Sequence, residues 1–481
     1  MAARRAVQST PVTASRALAF ICLIAALHGL FFIWYQRPDW NTQWPDQEGY
    51  RRLGEVLATT GQFTRFPDAP AFVPEVLRTP AYPIFVALVY RVFGTHQIAV
   101  ALAQTALFSV VCLVVYAIGR RVASERIAWL AAMATALFPP IPYFAALVMT
   151  EVWTTVLFTA SMYLAVGLVI GARPRSASSF LLLGFLLGVT TLSRPAFVLF
   201  PFALAAVGVI VLPLLRVAER PRATRWALML AAFAITMLPW FTYNYVTLGR
   251  FTLSPAGGIG RGLWEGSWQA TWSGRLQNEL THLADDISDR ATLDARVRAV
   301  AERERQAPEP MLEYVHQWQD IRRIWATPTD PSERAIARVK ADHEYQRVAM
   351  QNLRRQPIAQ LLRRLARGIL VLWAAEIPFR YSDINALPPL LIYLCWGAQA
   401  ILVCGAVAGV MVLARRGRVA AASVLATPIV YVTAVHLPLL TEARQSLPVQ
   451  PIVLLLATIA ATNAIGHSLP REPQVHEREH L

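Results

Sequence analysis

Four places in the sequence set charged side chains beside long apolar runs, where a charge is costly unless it has a partner or a task. The first is Trp44-Pro45-Asp46-Gln47-Glu48-Gly49-Tyr50, which reads as a helix start. Asp46 suits its positive end, Tyr50 follows on the same face at i+4, and Glu48 lies on a different face. The second is Leu77-Arg78-Thr79-Pro80-Ala81-Tyr82-Pro83, where two prolines stiffen the approach and Arg78 and Tyr82 can point at an anion. The third, Met149-Thr150-Glu151, puts a carboxylate at the mouth of an apolar helix, where it needs a cation, a metal or a substrate hydroxyl. The fourth comprises Ser193-Arg194-Pro195 and Glu442-Ala443-Arg444 with Leu447-Pro448, two arginines at helix ends suited to binding phosphate. Each also has a plain structural reading: an N-cap for Asp46, an interfacial belt for Arg78 and Tyr82, a simple ion pair for Glu442 and Arg444.

Other signals are weak. Gly258-Ile259-Gly260-Arg261-Gly262 lacks the preceding strand and the following Gly-Lys of a phosphate loop, and reads as a loose turn. The nine histidines form no HExxH pattern, and no G-x-S-x-G appears, which argues against a hydrolase. Cys22, Cys112, Cys395 and Cys404 all fall within apolar runs and read as small buried hydrophobes.

The elements that must position these residues are membrane spans. Of 481 residues, 55% are hydrophobic and 16% charged, against about 25% charged in soluble domains. Apolar runs of roughly 18 to 25 residues, long enough to cross a bilayer, alternate with short basic loops. The net charge of +15 is concentrated there, at Arg4, Arg5 and Arg16; Arg120, Arg121 and Arg126; Arg173 and Arg175; Arg216, Arg220, Arg222 and Arg225; and Arg415, Arg416 and Arg418. This is the positive-inside pattern and not a phosphate-tracking groove, so nucleic acid is excluded as a partner.

The expected class is an all-α integral membrane protein of about ten transmembrane helices. The crossings are Ala17–Tyr35, Gln97–Gly119, Ile127–Leu147, Val152–Gly171, Ser178–Ser193, Phe197–Leu215, Trp226–Tyr243, Leu387–Leu413, Val419–His436 and Leu447–Ile465. Both termini are expected in the cytoplasm, with no cleavable signal peptide. Pro80–Phe93 is apolar but short, as an interfacial or re-entrant helix would be. The expected organisation is a transmembrane module at 1–245 with its first outer loop at 36–95, a helical extracytoplasmic domain at 246–385, transmembrane helices at 386–466 and a cytoplasmic tail at 467–481. Within the outer domain Leu280–Arg305 and Arg334–Arg367 have helical periodicity. Arg363, Arg364 and Arg367 among leucines make an amphipathic helix suited to lipid headgroups.

The order of motifs resembles the multi-spanning GT-C glycosyltransferases, specifically the dolichyl-phosphate-mannose–protein mannosyltransferase and lipid A aminoarabinose transferase group. The matching residues are D-x-x-x-Y (Asp46, Tyr50), R-x-P-x-Y-P (Arg78, Pro80, Tyr82, Pro83), Thr-Glu (Glu151) and S-R-P (Arg194). P-W-x-x-x-N-Y (Pro239, Trp240, Asn244, Tyr245), G-L-W-x-G (Gly262, Leu263, Trp264, Gly266) and E-x-R-x-x-L-P-x-x-P (Glu442, Arg444, Leu447, Pro448, Pro451) follow. Tyr243 and Gln445 stand where relatives often carry Arg and Tyr.

The resemblance implies transfer of a sugar, with inversion, from a polyprenyl-phosphate donor to an extracytoplasmic lipid, glycan or protein acceptor at the cell membrane. Asp46, Glu151 and Glu48 are then the candidate catalytic carboxylates. Tyr50, Arg78, Tyr82, Arg194, Glu442 and Arg444 are the candidate substrate contacts. A divalent metal ion at Asp46 and Glu151 is the one cofactor the resemblance leaves open. The rival reading, a transporter or lipid flippase, would place its charges at mid-span and often show repeated halves; here they gather at helix ends and no repeat is found.

Overall fold

The computed structural model describes residues 11–37, 45–172, 175–384 and 386–466, and among these there is no strand. Trp44, Arg4, Arg5, Arg173 and the expected tail at 467–481 lie outside the described residues. In chain order the first helices are α1 (Pro11–Gln36), α2 (Pro45–Thr60), α3 (Ala81–Phe93), α4 (Gln97–Val122), α5 (Glu125–Ala136), α6 (Pro140–Ala145), α7 (Thr150–Val169) and α8 (Ala177–Ser193). Then come α9 (Phe200–Ala206), a π-helical turn (Val207–Val211), α10 (Leu212–Leu214) and α11 (Ala223–Leu248). A second group comprises α12 (Ile259–Trp268), α13 (Gly274–Asp286), α14 (Arg290–Glu304), α15 (Pro308–Ala326), α16 (Pro331–Arg355), α17 (Ile358–Leu372) and α18 (Tyr381–Ile384). The chain closes with α19 (Pro389–Arg415), α20 (Val419–His436) and, after a 3₁₀ turn at Ala443–Val449, α21 (Gln450–Ala464).

Among the described residues eight helical segments are long and apolar enough to cross a membrane: Ser15–Gln36, α4, α7, Pro195–Leu214, α11, α19, α20 and Ala443–Ala464. The apolar helices α3 and α8 are shorter. Their ends sort by charge. The basic turns at 120–126, 216–225 and 415–418 share one end of the bundle, while α2, the start of α7 and the end of α8 meet at the other. Exposed apolar side chains such as Phe20, Leu23, Leu27, Trp34 and Ile401 cover the outside of the bundle, as a surface that faces acyl chains requires.

The helices approach closely where glycine removes the side chain, the usual device in lipid, where no hydrophobic drive pulls helices together. A β-carbon on Gly184 of α8 would lie 2.1 Å from the Met229 carbonyl oxygen of α11, and one on Gly409 of α19 would lie 2.1 Å from that of Leu456 on α21.

Two sequence expectations are corrected and two helical stretches are subdivided. The crossing expected at Ile127–Leu147 is not one helix: α5 stops at Ala136 and the short α6 begins at Pro140, because successive prolines offer no amide to continue the ladder. The helical periodicity over Leu280–Arg305 belongs to α13 and α14, divided at Asp289, whose carboxylate caps α14 through the Thr292 amide, and that over Arg334–Arg367 to α16 and α17, divided before Pro357. Gly258–Gly262 is not a loose turn but the start of α12, whose Gly260 and Arg261 amides donate to the Asp342 carboxylate of α16.

Helices α12 to α16 enclose an aromatic core of Trp264, Trp268, Trp272, Tyr314, Trp318 and Tyr345. Amphipathic α17 leaves Ile358, Leu362 and Leu370 exposed and turns Arg364 inward to the Pro438 carbonyl. The α8–α11 contact yields a clear expectation. Gly184→Val forces the two backbones apart and destabilises the protein by about 1–3 kcal/mol, read as a lowered unfolding midpoint in detergent.

Candidate active site

The site builds up from the start of α2. Pro45 opens the helix and Asp46 stands in its first turn, where a negative charge favours the helix dipole. Gln47, one residue on, is buried; its side-chain oxygen accepts from the Val148 amide at 2.9 Å and from Gln97 at 3.1 Å. That bond ties α2 to the segment leading into α7, and so fixes Asp46 relative to Glu151. Buried Gln104 of α4 reinforces the same segment by donating to the carbonyls of Ala145 and Leu147 at 3.1 and 2.6 Å.

Arg78 reaches back over this helix start. Its Nη2 donates to Asp46 Oδ1 at 3.2 Å, and its guanidinium lies 4.9 Å from the centre of the Tyr50 ring. Gly49 makes room for it: a β-carbon there would meet the guanidinium at 2.2 Å. The Arg78 side chain is 9% exposed and that of Asp46 56%, so the arginine is packed in place and the carboxylate faces outward. Tyr82 is fully buried; its hydroxyl donates to Gln104 at 3.1 Å and its ring meets Tyr50 edge-on at 5.1 Å. Tyr82 therefore supports Tyr50 from beneath instead of facing a ligand.

Glu151, 2% exposed, begins α7, and Arg194 ends α8. The Trp153 indole donates to Ser193 at 3.0 Å and joins those two ends. Arg194 Nη1 approaches Glu151 Oε1 no closer than 3.8 Å, and neither Nη1 nor Glu151 Oε2 has a hydrogen-bond partner among the described residues. The pair is electrostatic but open. Burial lowers the Arg194 pKa, with Glu151 opposing.

Glu442 and Arg444 enter from the strap between α20 and α21, joined Nε to Oε2 at 2.7 Å. Burial alone would raise the Glu442 carboxyl, but Arg444 beside it, then Arg194 and Arg261, hold it below the ordinary range. The strap is gripped by α12. The Leu440 amide donates to the Gly262 carbonyl at 2.7 Å, and Gln269 donates to the Thr441 carbonyl at 3.2 Å and to its hydroxyl. A β-carbon on Gly266 would fall 2.5 Å from the Leu439 carbonyl carbon, so only glycine admits the strap.

These pairs form one electrostatic cluster. Tyr50 interacts with Arg78, Asp46, Glu151 and Arg194, and Arg444 with Glu442, Glu151 and Asp46. Of the sequence candidates, Asp46, Tyr50, Arg78, Glu151, Arg194, Glu442 and Arg444 come together. Glu48 does not join them: it is exposed and paired with Arg51 at 2.6 Å on another face of α2.

Sequence reasoning missed Gln47, Gln104 and Glu376. Glu376 follows α17 in a loop anchored where Tyr143 donates to the Phe379 carbonyl at 3.0 Å, Tyr35 donates to Asp383 at 2.6 Å and the Arg380 amide donates to the Tyr35 hydroxyl at 3.3 Å. Burial pushes its carboxyl up to about 7, with Arg444 opposing and Glu442 and Glu151 adding to the rise. The signal was present in Ala374-Ala375-Glu376-Ile377-Pro378, a lone carboxylate in an apolar stretch.

Among the described residues no three His, Cys, Asp or Glu side chains are grouped to hold a metal. Asp46 and Glu151, the carboxylates considered for a divalent ion, each face a guanidinium. Carboxylates already balanced by arginine do not fit a dication, and the chemistry proposed for this site uses none.

Comparison with known proteins places this geometry in context. Residues 77–243, about a third of the chain, match the family described as dolichyl-phosphate-mannose-protein mannosyltransferase. No curated protein matches the sequence. The Archaeoglobus fulgidus oligosaccharyltransferase in its apo form superposes with a TM-score of 0.52 at 15% identity, covering 95% of this chain and 53% of that one. The same organism's oligosaccharyltransferase AglB, in complex with an inhibitory peptide and a dolichol-phosphate, gives 0.51 at 14% identity over 93% and 50%. The chain thus spans about half the length of these proteins, and at such identity the likeness is one of fold. ArnT from Cupriavidus metallidurans bound to undecaprenyl phosphate aligns at 13% identity over 95% and 79%, with a TM-score of 0.41, too loose to argue from.

The site carries its own pH signature. Glu376 holds its proton up to about 7 in the folded chain and up to its ordinary 4.5 when unfolded. Between those values the folded state binds more protons, so the contribution of Glu376 is fully present below pH 4.5 and is lost as pH rises through about 7. Thermal unfolding from pH 4.5 to 8 should show this decline, and Glu376→Gln should flatten it.

Proposed function

We propose that this chain, which has the GT-C membrane glycosyltransferase fold, transfers a sugar from a polyprenyl-phosphate-linked donor to an acceptor hydroxyl on the extracytoplasmic face of the cell membrane. The observation that carries this reading is the open Glu151–Arg194 pair, with Arg444 and Arg78 beside it, at one end of the bundle. A buried guanidinium without a hydrogen bond is a ready ligand for an anion delivered at membrane level. Three arginines there suit a sugar phosphate whose lipid tail stays in the bilayer, so that no nucleotide-binding element is needed.

The proposed step is a single displacement. The acceptor oxygen attacks the anomeric carbon as the bond from that carbon to the phosphate oxygen breaks. The electron pair leaves with polyprenyl phosphate, and the hydroxyl proton passes to a carboxylate. Attack opposite the leaving group inverts the anomeric configuration. Asp46 is the proposed base: Arg78 occupies only Oδ1 and the carboxylate faces outward, which leaves Oδ2 for the proton. Arg194 and Arg444 balance the charge that grows on the phosphate. Glu151 holds Arg194 without closing on it, and Tyr50 holds Arg78. Glu376 is the rival base because its carboxyl titrates near neutrality.

The acceptor is proposed as a lipid, glycan or protein of the cell envelope. A transporter would also use charged groups, but here they lie at helix ends and in pairs across different helices, with none strung along a path through the bundle.

The test is transfer of a radiolabelled sugar from polyprenyl-phosphate donors by the purified protein in liposomes. Asp46→Asn should lower turnover about 10²–10⁴-fold while donor binding persists. Arg194→Ala should weaken donor binding and lower turnover by about 10²–10³. Transfer that survives in Asp46→Asn and fails in Glu376→Gln reassigns the base; absence of transfer from every donor returns the transporter reading.

A further inference from the structure

At the opposite, basic end of the bundle the structure contains a cavity of 530 Å³, within the range of small-ligand sites. It lies where four spanning segments end: Arg121 and Val122 of α4, Val169 and Ile170 after α7, the turn at Leu215–Glu219, and the start of α20 at Gly417–Ala421. The lining is two-sided in chemistry. Valine, isoleucine, leucine and alanine side chains form the inner wall, and Arg121, Arg216 and Arg418 stand among them against a single carboxylate, Glu219. The Glu219 side chain is 88% exposed and lies 3.9 Å from Arg175.

Two of the arginines are held in position. Arg121 lies 3.6 Å from the centre of the Tyr163 ring and donates to the Tyr163 carbonyl at 2.7 Å, while Arg418 donates to the Arg121 carbonyl at 3.4 Å. The third is exposed and sits in a backbone conformation that a side chain makes unfavourable: Arg216 has φ of 55°, where glycine or asparagine is the easier choice. The first turn of α20, the positive end of that helix, contributes to the same wall.

The neighbouring chain surface is one that faces lipid. Leu214, Leu215 and Ile210 are 75%, 50% and 56% exposed. The helix that carries them contains the π-helical turn Val207–Val211, an irregularity that often marks functional places. A ligand that satisfies an apolar wall beside fixed guanidiniums at the membrane boundary is an amphiphile with an anionic head.

We propose that this cavity between Arg121, Arg216 and Arg418 binds the phosphodiester headgroup of an anionic phospholipid, with its glyceride portion against the apolar wall. It is separate from the proposed transfer site, which lies at the far ends of the same helices.

The experiment is a thermal-unfolding titration of the purified full-length chain in zwitterionic detergent. The probes are dioctanoyl-phosphatidylglycerol, dioctanoyl-phosphatidylcholine and sodium phosphate at matched ionic strength. Phosphatidylglycerol should raise the unfolding midpoint saturably, well above the effect of the other two. Arg216→Asn removes the charge and relieves the backbone, so it should unfold no earlier than the parent without lipid. It should nevertheless need roughly tenfold more phosphatidylglycerol for the same stabilisation, the size expected for one charge-assisted contact. Arg418→Gln should weaken the response in the same direction. Equal responses of parent and Arg216→Asn to phosphatidylglycerol would place its binding elsewhere and overturn the proposal. An equal effect of sodium phosphate overturns the lipid assignment, and an equal effect of phosphatidylcholine overturns recognition of charge.

Discussion

A carboxylate and a guanidinium buried at the end of apolar helices impose the constraint around which this molecule is organised. Removing either ion from water costs several kcal/mol even after relaxation, so Glu151 and Arg194 must be held near each other by structure that does not yield. The 3.8 Å separation of their closest atoms shows that the two have not collapsed into a hydrogen-bonded bridge. Something keeps them apart, and it is the rigidity of the helix ends that carry them. Glu151 follows the passage from α6, pinned by Gln47 and Gln104; Arg194 leaves α8 beside the Trp153–Ser193 bond. A pair kept open in this way retains lone pairs and protons for a third party.

The same logic explains the outer helices. A strap carrying Glu442 and Arg444 would be free to swing were it attached only at the ends of α20 and α21. Helix α12 fixes it at main-chain level through the Gly262 carbonyl and the close approach at Gly266, and Gln269 at its end and Arg364 of α17 hold it by side chains. Helix α12 is in turn set by the Asp342 carboxylate of α16 and by the Trp264 ring in the aromatic core. The packing of the helices around the aromatic core thus reaches the charges of the strap in two steps. Glu265 and Arg261 form a further ion pair along this path, with Glu265 largely covered and Arg261 half-exposed, and both interact with Glu442. Occupancy of one side of that network by a substrate is therefore felt, electrostatically, on the other.

Much of this was legible in the sequence because the bilayer makes composition speak. The apolar runs located the eight long segments within a few residues, and the arginine loops identified the basic end. The rule that an avoidable charge at a helix end has a purpose found Asp46, Arg78, Glu151, Arg194, Glu442 and Arg444, which the fold brings into one cluster. It misjudged Glu48 because one exposed arginine, Arg51, accounts for it, and Tyr82 because an aromatic side chain near a cluster can serve as its floor. It passed over Gln47 and Gln104 because neutral amides carry no charge signal, although Gln47 accepts from the Val148 amide and Gln104 donates to two carbonyls beside the site. It read Ile127–Leu147 as continuous because hydropathy does not register the two prolines that end α5. Glu376 was hidden by position, since charges at the ends of spanning helices were examined and a loop after an amphipathic helix was not.

Arginine is the cation throughout: Lys340 is the only lysine among the 45 basic residues. At the two ends of the bundle this choice has different consequences. An ammonium in the place of Arg194 could shed its proton when desolvated and so escape the need for a partner. A guanidinium keeps its charge in a protein, so burial lowers the pKa of Arg194 without discharging it. The charge must then be balanced by Glu151, by Glu442 or by an incoming anion, and its demand does not vanish between turnovers. The basic end lacks this compulsion, since Arg216 is exposed to solvent and can be balanced by counterions. Its arginines act by density and placement around a cavity, whereas at the other end Arg194 Nη1 has no hydrogen-bond acceptor among the described residues. Binding of an anion beside Arg194 relieves a standing deficit, and under the proposed transfer that relief is greatest for the state in which the phosphate carries the most charge, the one that follows bond cleavage.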